Sequence, residues 1–309
     1  IAARLSGANL KKFKHHLNKP LEISFFPALP KEEVNIKIAG FIWDLIRENN
    51  AELILDINYF LSQKLFHNHL VGVHLINKDC IYLEGNAVIK PGVVLDASNG
   101  PIYIGKNSIV FPNSVIIGPA YIGHSTLVKS ISKIYENVSI GDVCKVGGEI
   151  EDSIIMSYTN KQHDGFLGHA YLGNWINIGA DTNCSDLRNN YGFVKSHVNG
   201  QDIKTNTQFL GLIMGDHSKT GINTMFNTGS TVGFSCNIYG SGFPDKYIPS
   251  FSWGGGNQEL QTYDVNKSLE TAKVVTSRRK VEFKKIDEEL FRKIFDITKN
   301  ERMIKGLPG

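Results

Sequence analysis

The sequence predicts a mainly β fold: a left-handed parallel β-helix of hexapeptide repeats, with an N-terminal α/β-helical segment and a C-terminal helical tail. The first observation behind this prediction is that every sixth residue over 43 residues is Ile or Val, namely Ile104, Val110, Ile116, Ile122, Val128, Ile134, Ile140 and Val146. The second is that glycine follows four of them, at Gly105, Gly123, Gly141 and Gly147. Helices and strands have periods of 3.6 and 2.0, so a period of six indicates short strands joined by turns into stacked coils.

In such a fold three hexads form one triangular coil, and neighbouring coils pair as parallel strands about 4.8 Å apart. The sixth-residue side chains point inward, where each contributes roughly 1.5–3 kcal/mol by leaving water. Known hexapeptide helices wind left-handed, against the usual hand of parallel crossovers.

The period recurs outside the main run. The further positions that fit it are Val88 and Val94 before the run, then Leu172 and Ile178, then Met214, Thr220, Phe226, Val232 and Ile238. The array is therefore predicted to span residues 81–239. Two polar stretches, residues 152–168 and 183–208, interrupt it and are predicted to leave the coils as side loops.

The flanks differ from the array. Residues 1–80 are predicted to be the end of an α/β domain with a helical connector, containing a strand at residues 21–26 and two helices separated by Asn49-Asn50. Residues 240–309 are predicted to form an extended segment and a C-terminal helix over the last coil. Arg278 and Arg279 lie on the charged face of that helix, which is either solvated or an anion site.

Composition narrows the functional classes. The net charge of +3 offers no electrostatic case for nucleic-acid binding. Four scattered cysteines without a CxxC pair favour a reducing compartment, so a cytoplasmic location is expected. A run of about 18 apolar residues is missing, so no membrane partner is expected. Because the first residue is Ile, the chain is expected to be a fragment or a processed product.

Residues that could carry chemistry lie in the polar stretches. His169 suits a general base because the pKa of an unperturbed imidazole lies near neutrality. Arg188 and Lys195 are natural partners for a phosphate, although the stretch around them could equally be a solvated loop. Cys184 falls in the six-residue register and is predicted to fill the core instead of acting as a nucleophile. His, Asp and Glu show no metal-ligand spacing, so no metal is expected.

The residues around His169 resemble a known family. His169, then Tyr171-Leu172-Gly173, then Asn-Ile-Gly-Ala-Asp-Thr at 177–182 resemble the acetyltransferase half of the bifunctional N-acetylglucosamine-1-phosphate uridylyltransferases. Residues 209–223 resemble the archaeal sugar-1-phosphate nucleotidylyltransferase/acetyltransferases. Trp43-Asp44-Leu45 resembles the end of a nucleotidyltransferase domain.

The resemblance implies a left-handed β-helix homotrimer that binds acetyl-CoA in the groove between neighbouring coils. His169 would be the catalytic base for a sugar amine. Tyr171, Asn177 and Lys195 would bind the sugar phosphate, together with Arg188. Ala180 and Thr182 would contact the acyl donor. Mg²⁺ would serve only a nucleotidyltransferase domain upstream of Ile1, because the Gly-rich nucleotide-binding signature is missing here.

Two positions depart from the family pattern. His169 precedes its tyrosine by two residues instead of three, and Asp181 replaces a glycine. The leading hypothesis is an acetyl-CoA-dependent N-acetyltransferase for an amino-sugar phosphate, active in sugar nucleotide biosynthesis. The alternative is a non-catalytic trimerisation and regulatory module of a sugar-1-phosphate nucleotidylyltransferase. A third possibility, a carbonic anhydrase-like protein, requires His163, His169 and His217 to converge.

Overall fold

The structure, a computed structural model, describes residues 36–61 and 70–309. Short parallel strands form three faces of a solenoid, and each strand pairs with the strand one coil further along. Sheet 1 contains β1 His74–Ile76, β4 Val94–Asp96, β7 Val115–Ile117, β10 Lys133–Ile134, β13 Glu149–Glu151, β16 Phe166–Gly168, β18 Asn183–Cys184 and β23 Met225–Phe226. Sheet 2 contains β2 Ile81–Leu83, β5 Ile102–Ile104, β8 Ala120–Ile122, β11 Val138–Ile140, β14 Ile154–Ile155, β17 Tyr171–Leu172, β21 Ile213–Met214, β24 Thr231–Val232 and β26 Tyr247–Ile248.

The third face has two parts, which together we call sheet 3. The first part contains β3 Val88–Ile89, β6 Ile109–Val110, β9 Leu127–Val128, β12 Lys145–Val146 and β15 Asn160–Lys161. The second contains β22 Lys219–Thr220, β25 Asn237–Ile238, β27 Ser252–Gly255 and β28 Gln258–Thr262. Asn177 bridges the two parts, because it pairs with Asn160 on one side and Lys219 on the other. The parallel β-helix predicted from the sequence is thus confirmed.

The inner wall follows the six-residue period. All eight aliphatic residues from Ile104 to Val146 are 0% exposed and belong to one continuous core. Ile104 pairs with Ile122, and Ile122 pairs with Ile140, so three hexads complete one coil as expected. Cys184 also lies in this core, as predicted.

The predicted register before the main run was wrong by one residue. Ile89 and Leu95 are the buried residues and pair with Val110 and Ile116, whereas Val88 is largely exposed. Ile104, which pairs with Ile122, follows Leu95 by nine positions instead of six, because the turn at residues 97–101 is longer than in the later coils. A count in steps of six residues across that turn therefore assigns the wrong residues to the inner wall.

The first predicted interruption, residues 152–168, is also wrong. This stretch supplies β14, β15 and β16, which continue all three sheets. The period of six disappears because the corners change length: Ile140 pairs with Ile155, 15 residues later, and Ile155 with Leu172, 17 residues later. The second interruption is real but begins later than predicted, after β18. It contains an antiparallel hairpin of β19 Lys195–Val198 and β20 Gln201–Lys204.

Lys161 occupies an inward position that the pattern reserves for an aliphatic side chain. It is 1% exposed and pairs with Val146 in sheet 3. Its ammonium donates hydrogen bonds to the carbonyl oxygens of Gly147 at 2.9 Å and His163 at 2.8 Å. Burial lowers the pKa of Lys161 to about 8. The core of the solenoid therefore contains an amine that can carry a positive charge.

A single helix, α1 Ile42–Leu61, replaces the two helices predicted around Asn49-Asn50. It lies on sheet 2, where Leu53 and Ile57 pack on Tyr103. The two asparagines do not end the helix, because their side chains are used for contacts with the coil described below. The strand predicted at residues 21–26 lies outside the described residues.

The C-terminal part is more helical than predicted. It forms α2 Val265–Ser277, α3 Lys285–Ile297 and α4 Lys299–Ile304. Phe291 of α3 and Leu269 of α2 pack on Phe251, next to the last coils. The parallel ladders run from β1 to β27, wider on both sides than the predicted limits of 81 and 239. Among the described residues, none of the helices is sufficiently long and apolar to cross a bilayer.

Candidate functional site

His169 lies at the corner where the chain passes from sheet 1 to sheet 2. Asn137 and Asp152 occupy the same corner on the two preceding coils, and the three residues have φ values of 62°, 42° and 44°. Asn, Asp and His are among the non-glycine residues that adopt left-handed backbone most readily. Because this conformation repeats from coil to coil, the three polar side chains form a column along one edge of the solenoid.

The imidazole of His169 is held on both sides. Its Nδ1 lies 2.8 Å from Oδ2 of Asp186, and its Nε2 lies 3.7 Å from Oδ2 of Asp152. Phe209 stacks on the ring with centroids 4.9 Å apart. A carboxylate only accepts hydrogen bonds, so Asp186 selects the tautomer with its proton on Nδ1. Nε2 then carries the lone pair that a general base needs.

Helix α1 supports this column from outside. Asn49 Nδ2 donates to the carbonyl oxygen of Asn137 at 2.6 Å, and Asn50 Nδ2 donates to Oδ1 of Asn137. Asn137 Nδ2 in turn donates to Oδ1 of Asp152 at 2.7 Å. A chain of hydrogen bonds therefore connects α1 to the carboxylate beside His169.

His169 lines a cavity of about 260 Å³ between the coil corner, helix α1 and the long insert. The lining residues are Trp43, Ile46, Arg47 and Asn50 from α1, Asn137, Asp152 and His169 from the corner, and Thr207, Phe209 and Leu210 from the insert. A larger cavity of about 410 Å³ lies further along α1, with Leu53, Tyr121 and Ser139 in its wall. Both cavities open beneath the same helix.

Electrostatics favour a positive charge on His169. Burial lowers the pKa of His169, but the hydrogen bond to Asp186 and the charges of Asp152, Asp186 and Glu151 outweigh it, so the net pKa is raised. Burial, and then the charge of Asp186, raises the pKa of Glu151. The carboxylates that raise this pKa would also stabilise the imidazolium that forms when the base accepts a proton.

Glu151, His169 and Asp186 also offer ligand atoms that all lie within 4.8 Å of one another. In type, two carboxylates and an imidazole would suit a divalent cation. No metal was predicted here, because Glu151, His169 and Asp186 are 17 or 18 positions apart in the sequence and only the coil brings them together. A metal on Nδ1 of His169 would replace the hydrogen bond to Asp186.

The other predicted site residues lie on different faces of the solenoid. Tyr171 starts β17, is half-buried and packs against Trp43, Ile46 and Val194 on the His169 side of the coil. Asn177 is exposed on sheet 3, where Asn160 Nδ2 donates to its Oδ1 at 3.3 Å.

The predicted phosphate partners are exposed residues of the insert. Arg188 Nη1 donates to the carbonyl oxygen of Phe193 at 3.0 Å, and Lys195 lies at the start of β19. Neither residue lines the His169 cavity.

The two predicted acyl-donor contacts lie at another corner of the coil. The carbonyl oxygen of Ala180 accepts a hydrogen bond from the Asn223 amide at 2.8 Å. Thr182 is buried, with its hydroxyl 3.1 Å from that of Thr220. Within one chain, therefore, only Tyr171 joins His169 on the same side.

The partners of His169 were not predicted, although a signal for them exists in the sequence. Asp152, His169 and Asp186 are each 17 residues apart, which is close to one coil of the solenoid. Residues one coil apart at the same corner are neighbours in space. A search for polar residues at coil spacing would have found the set.

Comparisons with known sequences agree with the resemblance around His169. No protein-family model matches the chain. "Bifunctional protein GlmU" of Methanocaldococcus jannaschii is 33% identical over 222 residues, which cover 72% of this chain and 48% of that protein. "Bifunctional sugar-1-phosphate nucleotidylyltransferase/acetyltransferase" of Sulfurisphaera tokodaii is 30% identical over 210 residues, covering 66% of this chain and 46% of that protein.

Among solved structures, the UDP-N-acetylglucosamine acyltransferase of Francisella novicida aligns with a TM-score of 0.33 and 14% identity, over 68% of this chain and 74% of that one. The aligned region spans less than half the length of the two archaeal relatives. The chain is a homologue of the bifunctional sugar-1-phosphate nucleotidylyltransferase/acetyltransferases, as the residues around His169 indicated.

Proposed function

We propose that the chain is a sugar-phosphate acyltransferase that transfers an acetyl group from acetyl-CoA to the amine of an amino-sugar phosphate. The observation that carries this proposal is the His169–Asp186 pair, with Nδ1 and Oδ2 2.8 Å apart, at the wall of a ligand-sized cavity. The name of the Sulfurisphaera tokodaii relative, which includes acetyltransferase, supports the reaction class. The parent protein would also be a sugar-1-phosphate nucleotidylyltransferase, acting with Mg²⁺ in a domain outside this chain.

In the proposed reaction the amine nitrogen attacks the carbonyl carbon of the thioester. His169 Nε2 accepts the proton that the amine loses, and Asp186 stabilises the resulting imidazolium through Nδ1. The carbon–sulfur bond breaks, and the proton passes from His169 to the departing thiolate. The products are the N-acetylated sugar phosphate and free coenzyme A.

Asp152 and Glu151 would contribute to this step as charges near the imidazolium. A homotrimer would complete the site, because Asn177, Ala180 and Thr182 lie on other faces of the chain than His169. A neighbouring chain could bring an equivalent set beside His169. Arg188 and Lys195 would then face the sugar phosphate from the exposed insert.

The test is release of thiol from acetyl-CoA by the purified chain in the presence of glucosamine-1-phosphate. We expect release that depends on both substrates and stops when the amine is already acetylated. Release that does not require an amino sugar, or no release with any amino-sugar phosphate, would contradict the proposal. Light scattering of the same sample should give the mass of three chains.

One observation favours the alternative, a non-catalytic trimerisation and regulatory module. Thr182, a predicted contact for the acyl donor, is buried and bonded to Thr220. Acetyl-CoA separates the two functions, since a ligand that binds the folded state raises the melting temperature. Under the alternative, acetyl-CoA leaves the melting temperature unchanged while the chain still forms trimers.

A further inference from the structure

A second cavity, of about 210 Å³, lies at a different corner of the solenoid, between sheets 2 and 3 and under helices α2 and α3. Its walls are Asn174, Trp175, Asp216, His217 and Phe234 from the coils, and Thr276, Val281, Glu282, Phe283, Asp287, Leu290 and Phe291 from the C-terminal part. It shares no lining residue with the His169 cavity.

His217 is the unexplained residue of this cavity. It is 8% exposed, and its Nδ1 is buried without a hydrogen-bond partner among the described residues. Burial, and then the charge of Lys219, lowers the pKa of His217 to about 3, so the ring is neutral. A buried polar atom without a partner destabilises the folded state, because it has lost its hydrogen bonds to water. A ligand that donates a hydrogen bond to the ring would remove that destabilisation.

Aromatic rings surround His217. Trp175 lies nearly parallel to the imidazole with centroids 6.0 Å apart, and Phe291 meets it edge-on at 4.9 Å. Phe234 lies at 5.7 Å, and Phe283 completes the wall. Rings with exposed π-faces attract ammonium groups, and several of them together form the cage that such cations prefer.

The charges around the cavity also favour a cationic ligand. Its lining contains three carboxylates, those of Asp216, Glu282 and Asp287, and no lysine or arginine. Asp216 Oδ1 accepts from the Asn174 amide at 2.9 Å and Asp287 Oδ2 from the Lys284 amide at 2.7 Å, both backbone groups. Within residues 36–61 and 70–309, none of the three carboxylates forms an ion pair.

Lys273 opposes these carboxylates: its Nζ lies 5.9 Å from the centroid of Phe283, although it is paired with Oε2 of Glu288 at 3.1 Å. Lys219 is a second nearby cation. Its ammonium donates to the carbonyl oxygen of His217 at 2.8 Å and does not line the cavity. Burial lowers the pKa of Lys219 to about 8, which weakens its positive charge near that pH. The wall of the cavity therefore contains three carboxylates and no cation, because Lys273 is already paired with Glu288 and Lys219 lies outside the lining.

We propose that this cavity binds a small organic cation: a primary or secondary ammonium with an apolar body of about one ring. The ammonium would donate to His217 and approach the free oxygens of Asp216 and Asp287, while the apolar body would lie among Trp175, Phe283 and Phe291. This proposal does not depend on acyl transfer at His169.

The test compares two probes of nearly equal shape, cyclohexylamine, which is cationic at neutral pH, and cyclohexanol. Binding to the full chain is followed by tryptophan fluorescence and by the ¹⁵N shifts of the His217 ring. We expect the amine to bind roughly tenfold tighter than the alcohol, because hydrogen bonds from a charged donor are stronger than those from a neutral hydroxyl. The His217 signal should move with the amine.

Glu282→Gln removes one exposed carboxylate of the cavity and should weaken the amine several-fold without changing the alcohol. Glu289→Gln is the matched control, because Glu289 is exposed on α3, which begins three residues after Glu282, and does not line the cavity. Equal binding of amine and alcohol would overturn the proposal in favour of an apolar cavity. Absence of binding by the amine, or binding that leaves the His217 signal in place, would also overturn it.

Discussion

Nδ1 of His169 lies 2.8 Å from Oδ2 of Asp186, a residue that enters the site from the insert after β18. The contact joins a corner of the regular coil to the irregular loop that follows the next coil. Asp186 is itself 8% exposed, so this charge is largely shielded from solvent. Its effect on the imidazole is correspondingly strong.

The first prediction concerns this carboxylate. Asp186→Asn should lower the acyl-transfer rate by on the order of 10²–10⁴-fold, because an amide neither fixes the tautomer nor stabilises the imidazolium. Since Asp186 raises the pKa of His169, the variant should also move the acid limb of the kcat/KM profile to lower pH. In the wild type, kcat/KM should fall as pH drops through the raised pKa, where Nε2 becomes protonated. An acid limb that stays in place would show that His169 is not the titrating base.

The second prediction concerns the base itself. His169→Ala should abolish amine-dependent thiol release while the folded chain keeps its melting temperature within a few degrees. His163→Ala is the control, because His163 is exposed six residues earlier and does not line the cavity. Equal rates for wild type and His169→Ala would remove His169 from the mechanism.

The third prediction concerns the attachment of α1. Asn49 donates to the Asn137 carbonyl at 2.6 Å and accepts from the Ser139 hydroxyl at 2.8 Å, and it is 8% exposed. Asn49→Ala should therefore lower the free energy of unfolding by about 1–3 kcal/mol, measured by urea titration. Asn50→Ala, at an exposed position, should cost less than half as much. The same cost for both variants would mean that burial of Asn49 is unimportant.

The fourth prediction concerns Lys161. Its pKa falls from 10.5 to about 8 on folding, so between these values the unfolded chain binds more protons than the folded one. Folding stability relative to Lys161→Met should therefore rise as pH increases from about 8 to 10.5. The measurement is the urea midpoint of both proteins across this range. A constant difference between them would show that Lys161 keeps its ordinary pKa in the core.

Strand positions that follow the six-residue period could be predicted from the sequence, whereas positions next to corners of variable length could not. Ile122 and its neighbours could be placed because one buried residue per hexad leaves a direct trace in the sequence. The register at Val88 and the supposed insert at 152–168 failed because a corner can gain or lose residues while the strands on either side still pair. Counting in steps of six residues cannot follow such changes in corner length.

One part of the candidate site could be predicted from local sequence, and the part that depends on stacking of the coils could not. His169 could be selected by its chemistry and by its neighbours in sequence. Asp152 and Asp186 could not be selected by local sequence, because they approach His169 only through stacking of successive coils. Asn49 and Asn50 favour a helix break by sequence alone. Their contacts with Asn137 could not be predicted, because the sequence does not show which surface the helix packs on.

The end of the solenoid has a consequence for association between chains. β27 pairs in parallel with β25 on one side, but its other side is taken by β28, which runs antiparallel. A stack of coils has no intrinsic length, and a bare terminal coil is a template on which another copy can continue the ladder. By folding back once, the chain covers the terminal edge of sheet 3 and limits continuation of that ladder by another copy.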